Sequence, residues 1–245
     1  MREFGLIGKT LSHSFSQKYF EEKFQREHIT DASYSLFEIA DIKQIPAFLQ
    51  QHPLLVGFNV TIPYKQQIIP YLDDLSEEAA AVNAVNAVIV KRIGDRIQTK
   101  GYNTDSEGFR HSLEGIKIPE KAMILGTGGA AAAIKYVLQQ KGCSLTIVSR
   151  NPEKGLPYSE LTPAIIAAHK LIVNCTPLGT YPNINEKPDI PYDGISDEHF
   201  LYDLVYNPSE TSFLKEGIKR CAKIQNGLRM LHGQAEAFWE LTCDV

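Results

Sequence analysis

Short apolar runs alternate with amphipathic stretches along nearly the whole chain. Phe4-Gly5-Leu6-Ile7-Gly8 reads as a strand ending in a turn, and residues 14–26 carry Tyr19, Phe20 and Phe24 as an apolar helical stripe. Residues 33–39 read as a second strand. Asp41 then opens a helix through Leu49, with a side chain suited to the N-cap. Residues 54–60 are an apolar, β-favouring run expected to be a buried strand. The stretch Thr61-Ile62-Pro63-Tyr64-Lys65 follows, where Pro63 fits the first turn of a helix because its missing N–H costs nothing there. Residues 86–90 and 97–102 form a hairpin around Gly94-Asp95. Strand and helix in alternation, closed by a hairpin, predict an α/β domain with a mixed sheet.

A second alternation begins with a helix from Asp105 to about Leu113 and a break at residues 115–119. A strand at 122–125, a glycine-rich turn, a helix at 130–140 and a strand at 144–148 come next. Further strands are expected at 171–175 and 200–205, with helices at 163–168 and 211–220. Strand, Gly-rich turn, helix and strand within about 30 residues make a dinucleotide-binding half-unit, so this part is predicted to be Rossmann-like. Residues 228–241 form a last helix with Leu228, Leu231, Ala235, Phe238 and Leu241 as its apolar positions.

Composition narrows the classes. The 245 residues suffice for one large domain or two small ones, and 43% hydrophobic with 22% charged residues is ordinary for a globular chain. A net charge of −4 gives no basic footprint, so no nucleic-acid partner is expected. Cys143, Cys175, Cys221 and Cys243 are far apart, two of them in predicted strands, which suits free thiols in a reducing compartment. Met1-Arg2-Glu3-Phe4 leads straight into a strand, and no apolar run approaches the roughly 20 residues of a membrane helix. The seven histidines lack metal-ligand spacing, so no metal is expected. A cytoplasmic protein without membrane contact is predicted.

Lys65 in a first helical turn would face the positive end of the helix dipole, which disfavours the charged ammonium and suits a proton acceptor. A solvated helix-start lysine is the simpler reading of that stretch taken alone. Gly126-Thr127-Gly128-Gly129-Ala130 departs from G-x-G-x-x-G only in its third glycine-like position, which small alanines occupy. Gly126 permits the tight turn, Gly128 lets backbone approach a pyrophosphate, and the helix start attracts its charge. The following strand ends in Ser149-Arg150-Asn151 with Lys154 close by, where NAD binders place an acid for the ribose 2′-hydroxyl. Arg150 can meet a 2′-phosphate through a bidentate contact and Lys154 adds a point charge, although Glu153 lies nearby. NADP is therefore the predicted cofactor; the ordinary alternative is a solvated Arg–Lys loop.

Several stretches, in order, resemble one family, the shikimate dehydrogenases. They are Ser12-His13-Ser14-Phe15-Ser16, Asn59-Val60-Thr61-Ile62-Pro63-Tyr64-Lys65, Ala84-Val85-Asn86, Asn103-Thr104-Asp105 and Gly227-Leu228-Arg229-Met230-Leu231 with Gln234. The glycine-rich turn, Asn174-Cys175-Thr176-Pro177-Leu178-Gly179 and Tyr202-Asp203-Leu204-Val205-Tyr206 also match. The resemblance implies a substrate domain of residues 1–104 plus 227–245 and an NADP-binding domain of residues 105–226. It implies reversible NADPH-dependent reduction of 3-dehydroshikimate to shikimate, a small-molecule substrate. Lys65 and Asp105 would be the catalytic pair, with Ser14 and Ser16 on the substrate carboxylate at a helix start. Asn59, Thr61, Asn86, Asp105 and Gln234 would match ring hydroxyls, since Asn and Gln offer both donor and acceptor. Tyr206 and the backbone at Gly227 would face substrate and nicotinamide, and Thr176 the cofactor crevice. From the residues alone, the two serines are also helix caps, Asn86 a turn cap, Gln234 a surface residue and Tyr206 a half-buried strand-end tyrosine.

Departures from the family pattern are Gln17 for a proline, Arg229 for the second glycine of Gly-Leu-Gly-Met, Ser149 and Asn151 flanking Arg150, and Thr180-Tyr181-Pro182 for a Met-x-Pro-like run. None removes a catalytic group, but Arg229 bears on substrate preference. A quinate or dual quinate/shikimate dehydrogenase is the enzymatic alternative. A non-catalytic NADP-binding regulator is the other; it would be expected to lose Lys65 or Asp105.

Overall fold

A computed structural model describes residues 1–11 and 14–243. The chain divides into two compact units, Met1–Thr104 with Ala235–Val245, and Asp105–Gln234. The second unit thus keeps residues 227–234, which the resemblance assigns to the substrate domain.

In the first unit the elements run β1 (Arg2–Gly8), α1 (Ser16–Arg26), β2 (Ala32–Glu38), α2 (Ile45–Gln51), β3 (Leu55–Val60), α3 (Tyr64–Gln67), β4 (Asp74–Leu75), α4 (Glu77–Val82), β5 (Ala87–Ile93) and β6 (Arg96–Tyr102). They build a six-stranded sheet in the order β2-β1-β3-β5-β6-β4. β1 is parallel to β2 and β3, while β5 is antiparallel to β3 and β6, so the sheet is mixed. Strand alternation sends Phe58 and Val60 of β3 into a cluster with Ile45, Phe48 and Ile68. Phe4 and Leu6 of β1 face the other way, onto Phe20, Phe24 and Phe238. Asp41 caps as expected, accepting from Lys43 N at 3.0 Å, but it opens a 3-10 turn that leads into α2. β4 and α4 have no counterpart in the reading of the sequence. Their signal was present in Ser76, whose Oγ accepts from Ala79 N at 3.1 Å, ahead of the first-turn acids Glu77 and Glu78.

The second unit continues α5 (Thr104–Ser112) and holds β7 (Lys121–Leu125), α6 (Gly129–Gln140), β8 (Ser144–Val148), α7 (Pro163–Ala168), β9 (Leu171–Asn174), β10 (Phe200–Asp203), α8 (Ser212–Ile218) and β11 (Lys223–Gln225). α9 (Leu228–Leu241) begins in this unit and ends in the first. The five strands are all parallel, in the order β11-β10-β9-β7-β8. Ile124 and Val173 face a core with Ile134, Val137 and Leu138 of α6, while Met123, Leu125 and Ile172 face one with Phe213 and Leu214 of α8. Burial on both faces explains the unbroken apolar runs of these strands. From β7 the chain winds to β8 on one side and then to β9 on the other. That makes the β7/β9 junction a topological switch point, where ligands of such sheets bind at the strand carboxyl ends.

The chain is an α/β protein with a mixed sheet and a Rossmann-like parallel sheet. Cys143 and Cys175 lie just outside strands rather than in them, and all four cysteines are free. No described helix is long and apolar enough to cross a membrane. Among the described residues no group of His, Cys, Asp and Glu could hold a metal ion.

Candidate active site

Ser12 and His13 lie outside the described residues. α1 starts at Ser16, two residues later than the sequence suggests, and Ser14 N donates to Leu11 O at 2.9 Å rather than joining the helix. Ser14 Oγ accepts from Ser16 N at 3.3 Å, so it already takes one of the helix-start donors, and both serines are half-buried.

A buried chain of polar side chains runs through the first unit from Tyr34 to Thr104. Tyr34 donates its own hydroxyl proton to Asn59 Oδ1 at 2.8 Å, and Asn59 Nδ2 donates to the Asn86 carbonyl at 3.3 Å. Asn86 Nδ2 donates to Thr104 Oγ1 at 3.0 Å, while Thr104 N donates to Asn86 Oδ1 at 2.6 Å. Asn59 and Asn86 are only 5% and 3% exposed, so each amide is oriented by these partners. Burial holds the Tyr34 hydroxyl far above the usual phenol range. Tyr34 escaped the reading of the sequence, and Thr104 stood in the Asn103-Thr104-Asp105 stretch without a role of its own. The alternation of β2 places Tyr34 on the buried face, and no local pattern indicates what its hydroxyl meets.

Thr61 is half-buried past the end of β3, its N–H donating to Ile7 O at 2.9 Å. The helix expected after it is a single turn with Pro63 at the N-cap and Lys65 as its second residue. In one turn the first and last turns are the same residues, so no aligned dipole builds up and the dipole argument for Lys65 falls away. Lys65 is half-buried, and its carbonyl accepts from Val85 N at 2.7 Å, tying it to the segment that leads into Asn86.

In the second unit the Gly-rich turn lies at the switch point. Gly126 has φ +115, a conformation L side chains rarely adopt, and a Cβ there would stand 3.3 Å from the Cys175 carbonyl. Gly128 is the N-cap of α6, has no side-chain cap, and a methyl group there would meet no atom within 4 Å. Together with the exposed Thr127 and half-buried Gly129 and Ala130, this leaves an open, bare start to a twelve-residue helix, which fits a pyrophosphate. Thr176 lies beside Gly126, its hydroxyl donating to Asn174 Oδ1 at 2.6 Å.

After β8 the loop is closed on itself. Ser149 Oγ accepts from Asn151 N at 3.0 Å, Asn151 Oδ1 from Glu153 N at 3.0 Å, and Ser149 N donates to Leu156 O at 3.0 Å. Ser149 is buried and shapes the turn, while Arg150, Asn151 and Lys154 stand exposed on it. Among the described residues neither Arg150 nor Lys154 is in an ion pair, Glu153 included. Two unspent cations on a pre-shaped loop fit a phosphate group.

Residues 6–88 match the model of the shikimate dehydrogenase substrate binding domain. Over 98% of its length the chain is 36% identical to the shikimate dehydrogenase (NADP(+)) of Caldicellulosiruptor bescii, covering 89% of that relative. The chain belongs to the shikimate dehydrogenase family. It superimposes along its whole length on shikimate dehydrogenase 1 of Peptoclostridium difficile, with TM-score 0.84, 34% identity and 92% of that chain covered. Against the Thermus thermophilus shikimate 5-dehydrogenase in complex with NADP(H) and shikimate, the TM-score is 0.86 at 29% identity, covering all of this chain and 94% of that one.

The remaining positions of the family pattern fall in the second unit. Asp105 sits in the first turn of α5, only 6% exposed. α5 and α9 meet through glycines: a Cβ on Gly108 would be 2.4 Å from Met230 O and 2.7 Å from Gln234 N, and one on Gly233 would be 3.0 Å from Gly108 Cα. Asp105, one turn before Gly108 on the same face, and Gln234 therefore belong to the two crossing helices of this unit. Gln234 is half-buried, and its Nε2 donates to Leu231 O at 3.0 Å. Gly227 presses onto Leu204, whose carbonyl oxygen would be 2.1 Å from a Cβ, and Tyr206 is half-buried with its hydroxyl shifted upward by burial. Arg229 is exposed, 3.4 Å from the Glu114 carboxylate.

Proposed function

We propose that this chain catalyses the reversible NADPH-dependent reduction of 3-dehydroshikimate to shikimate, with residues 1–104 and 227–245 binding substrate and residues 105–226 binding NADP. The observation that carries this reading is the buried polar chain from Tyr34 to Thr104, which presents fixed amides suited to a small polyol. Ser14 and Ser16 hold the substrate carboxylate. Asn59, Thr61, Asn86, Tyr206 and Gln234 read the ring hydroxyls and carbonyl.

Gly126 to Ala130 take the pyrophosphate of NADP, and Arg150 with Lys154 takes its 2′-phosphate on the turn that Ser149 and Asn151 form. Thr176 and the backbone at Gly227 bound its nicotinamide end. The bound cofactor supplies the hydride. Lys65, or a water it orders, gives a proton to the carbonyl oxygen and as a cation stabilises the charge that develops there. Asp105 is its partner in that transfer. Four free thiols suit a reducing compartment, and we place the activity in the cytoplasm.

The test is kcat/KM for shikimate and for quinate, each with NADP+ and with NAD+. The expected order puts shikimate with NADP+ first. Strong quinate turnover with NAD+ would overturn it.

A further inference from the structure

Tyr34 hydrogen-bonds Asn59, one of the residues assigned to substrate, yet belongs to no motif of the chemistry. Its ring stacks on Phe20 of α1 with centroids 4.5 Å apart and planes 11° apart. Ser16 and Phe20 are four residues apart, on the same face of α1, and that face meets Tyr34 ring on ring through Phe20. The Tyr34 hydroxyl reaches across the sheet to Asn59 of β3. A hydroxyl has one proton, and Tyr34 spends it on Asn59 Oδ1.

Asn59 is thereby fixed from both ends. Tyr34 donates to its Oδ1, and the Asn86 carbonyl accepts from its Nδ2 at 3.3 Å. Turning the amide over would set two oxygens against each other at Asn86, so the Asn86 carbonyl fixes the orientation and the Tyr34 hydroxyl donates to the oxygen it presents. In this orientation one lone pair of Asn59 Oδ1 and one N–H of Nδ2 are used inside the protein, and the second N–H is left to offer a ligand.

We propose that Tyr34 is a positioning residue for substrate recognition: its hydroxyl engages Asn59 Oδ1 and, with the Asn86 carbonyl, holds the amide in one place with its second N–H left to offer a ligand. The inference rests on the proposed substrate reading. A ring hydroxyl facing Asn59 is recognised as an acceptor, and a substrate with no oxygen there loses that contact.

The test compares Tyr34→Phe, which keeps the stacked ring and removes only the hydroxyl, with Phe20→Leu, which weakens the stack and leaves the polar chain intact. For Tyr34→Phe, KM for shikimate is expected to rise about tenfold, the scale of one oriented hydrogen bond. Its kcat should change less than twofold and its KM for NADP+ should not change. Phe20→Leu should lower the melting temperature at least as far, yet leave KM for shikimate within twofold. In a double-mutant cycle Tyr34→Phe should add nothing to Asn59→Ala, because the hydroxyl acts through that amide. An unchanged KM in Tyr34→Phe, an equal rise in Phe20→Leu, or multiplying effects in the cycle would each overturn the proposal. Wild-type turnover of shikimate with NADP+ in the same assay separates the cases: its absence refutes the substrate reading, while its presence with an unmoved Tyr34→Phe refutes only the role of Tyr34. Should Tyr34→Phe not fold, shikimate-dependent thermal stabilisation of Asn59→Asp decides. That variant offers an acceptor in place of the donor, so retained stabilisation would overturn the proposal and its loss would support it.

Discussion

Gly126 and Gly128 stand two residues apart in one turn, and the structure gives them opposite reasons for being glycine. At Gly126 the backbone itself demands it, with φ +115 and the Cys175 carbonyl 3.3 Å from any Cβ. Gly126→Ala therefore stores about 1–3 kcal/mol of backbone strain in the apo protein. For a chain of this size that is a fall of roughly 2–10 °C in melting temperature. At Gly128 the backbone is ordinary, φ −78 and ψ −178, and a methyl group would meet nothing within 4 Å. Gly128→Ala should leave apo stability unchanged or raise it by about 0.4–1 kcal/mol through a stiffer unfolded chain. Its cost falls on the cofactor, because the methyl occupies the open space above the first N–H groups of α6. A tenfold loss of NADP affinity corresponds to about 1.4 kcal/mol. At NADP near 100 times the wild-type dissociation constant, ligand stabilisation is about 2.7 kcal/mol and should fall by about half in Gly128→Ala. Thermal melts of both variants with and without NADP read all of these quantities. A Gly128→Ala protein with the full wild-type NADP shift would refute the reading of that turn as a phosphate cradle.

Lys65→Ala should lower kcat by orders of magnitude with NADP binding barely changed; near-normal turnover would remove Lys65 from the mechanism. Arg150→Ala should weaken NADP binding and leave NAD binding little altered, since Arg150 is exposed and in no described ion pair; equal losses would show that it does not read the 2′-phosphate. Asp203 is buried at the end of β10, and desolvation pushes its carboxyl up to about 6 from 3.8, although Thr211, Val205 N and Asn174 donate to it. The fold therefore holds that proton more tightly than the unfolded chain does. Its contribution to stability is present below about pH 4 and is lost as pH rises through about 6, a change of about 3 kcal/mol. Urea titrations at pH 4 and 7 should show this difference in the wild type and not in Asp203→Asn; parallel profiles would exclude it.

The second unit was the more legible half. Parallel strands buried on both faces must be apolar throughout, and the turn between β7 and α6 must be glycine, so fold and cofactor site leave local marks. Cap residues such as Asp41 marked helix starts for the same reason, since their hydrogen bonds close within a few residues. The dipole at Lys65 was not legible in this way, because the length of its helix depends on the packing of the residues beyond Gln67, and a single turn builds no dipole.

Other features were set by contacts between residues far apart in sequence. The Tyr34 hydroxyl finds Asn59 only because β2 and β3 flank β1, and α5 meets α9 only because Gly108 and Gly233 allow their backbones to touch. Asp203 became a buried carboxylate through partners on β9, on its own loop and at the start of α8. Sequence alone determined which chemical groups this protein carries and the repeating elements that hold them, because propensity and periodicity act locally. Only the tertiary structure decided which polar groups are spent on one another and which are left to a ligand, because burial and hydrogen-bond partnership are properties of the packed chain.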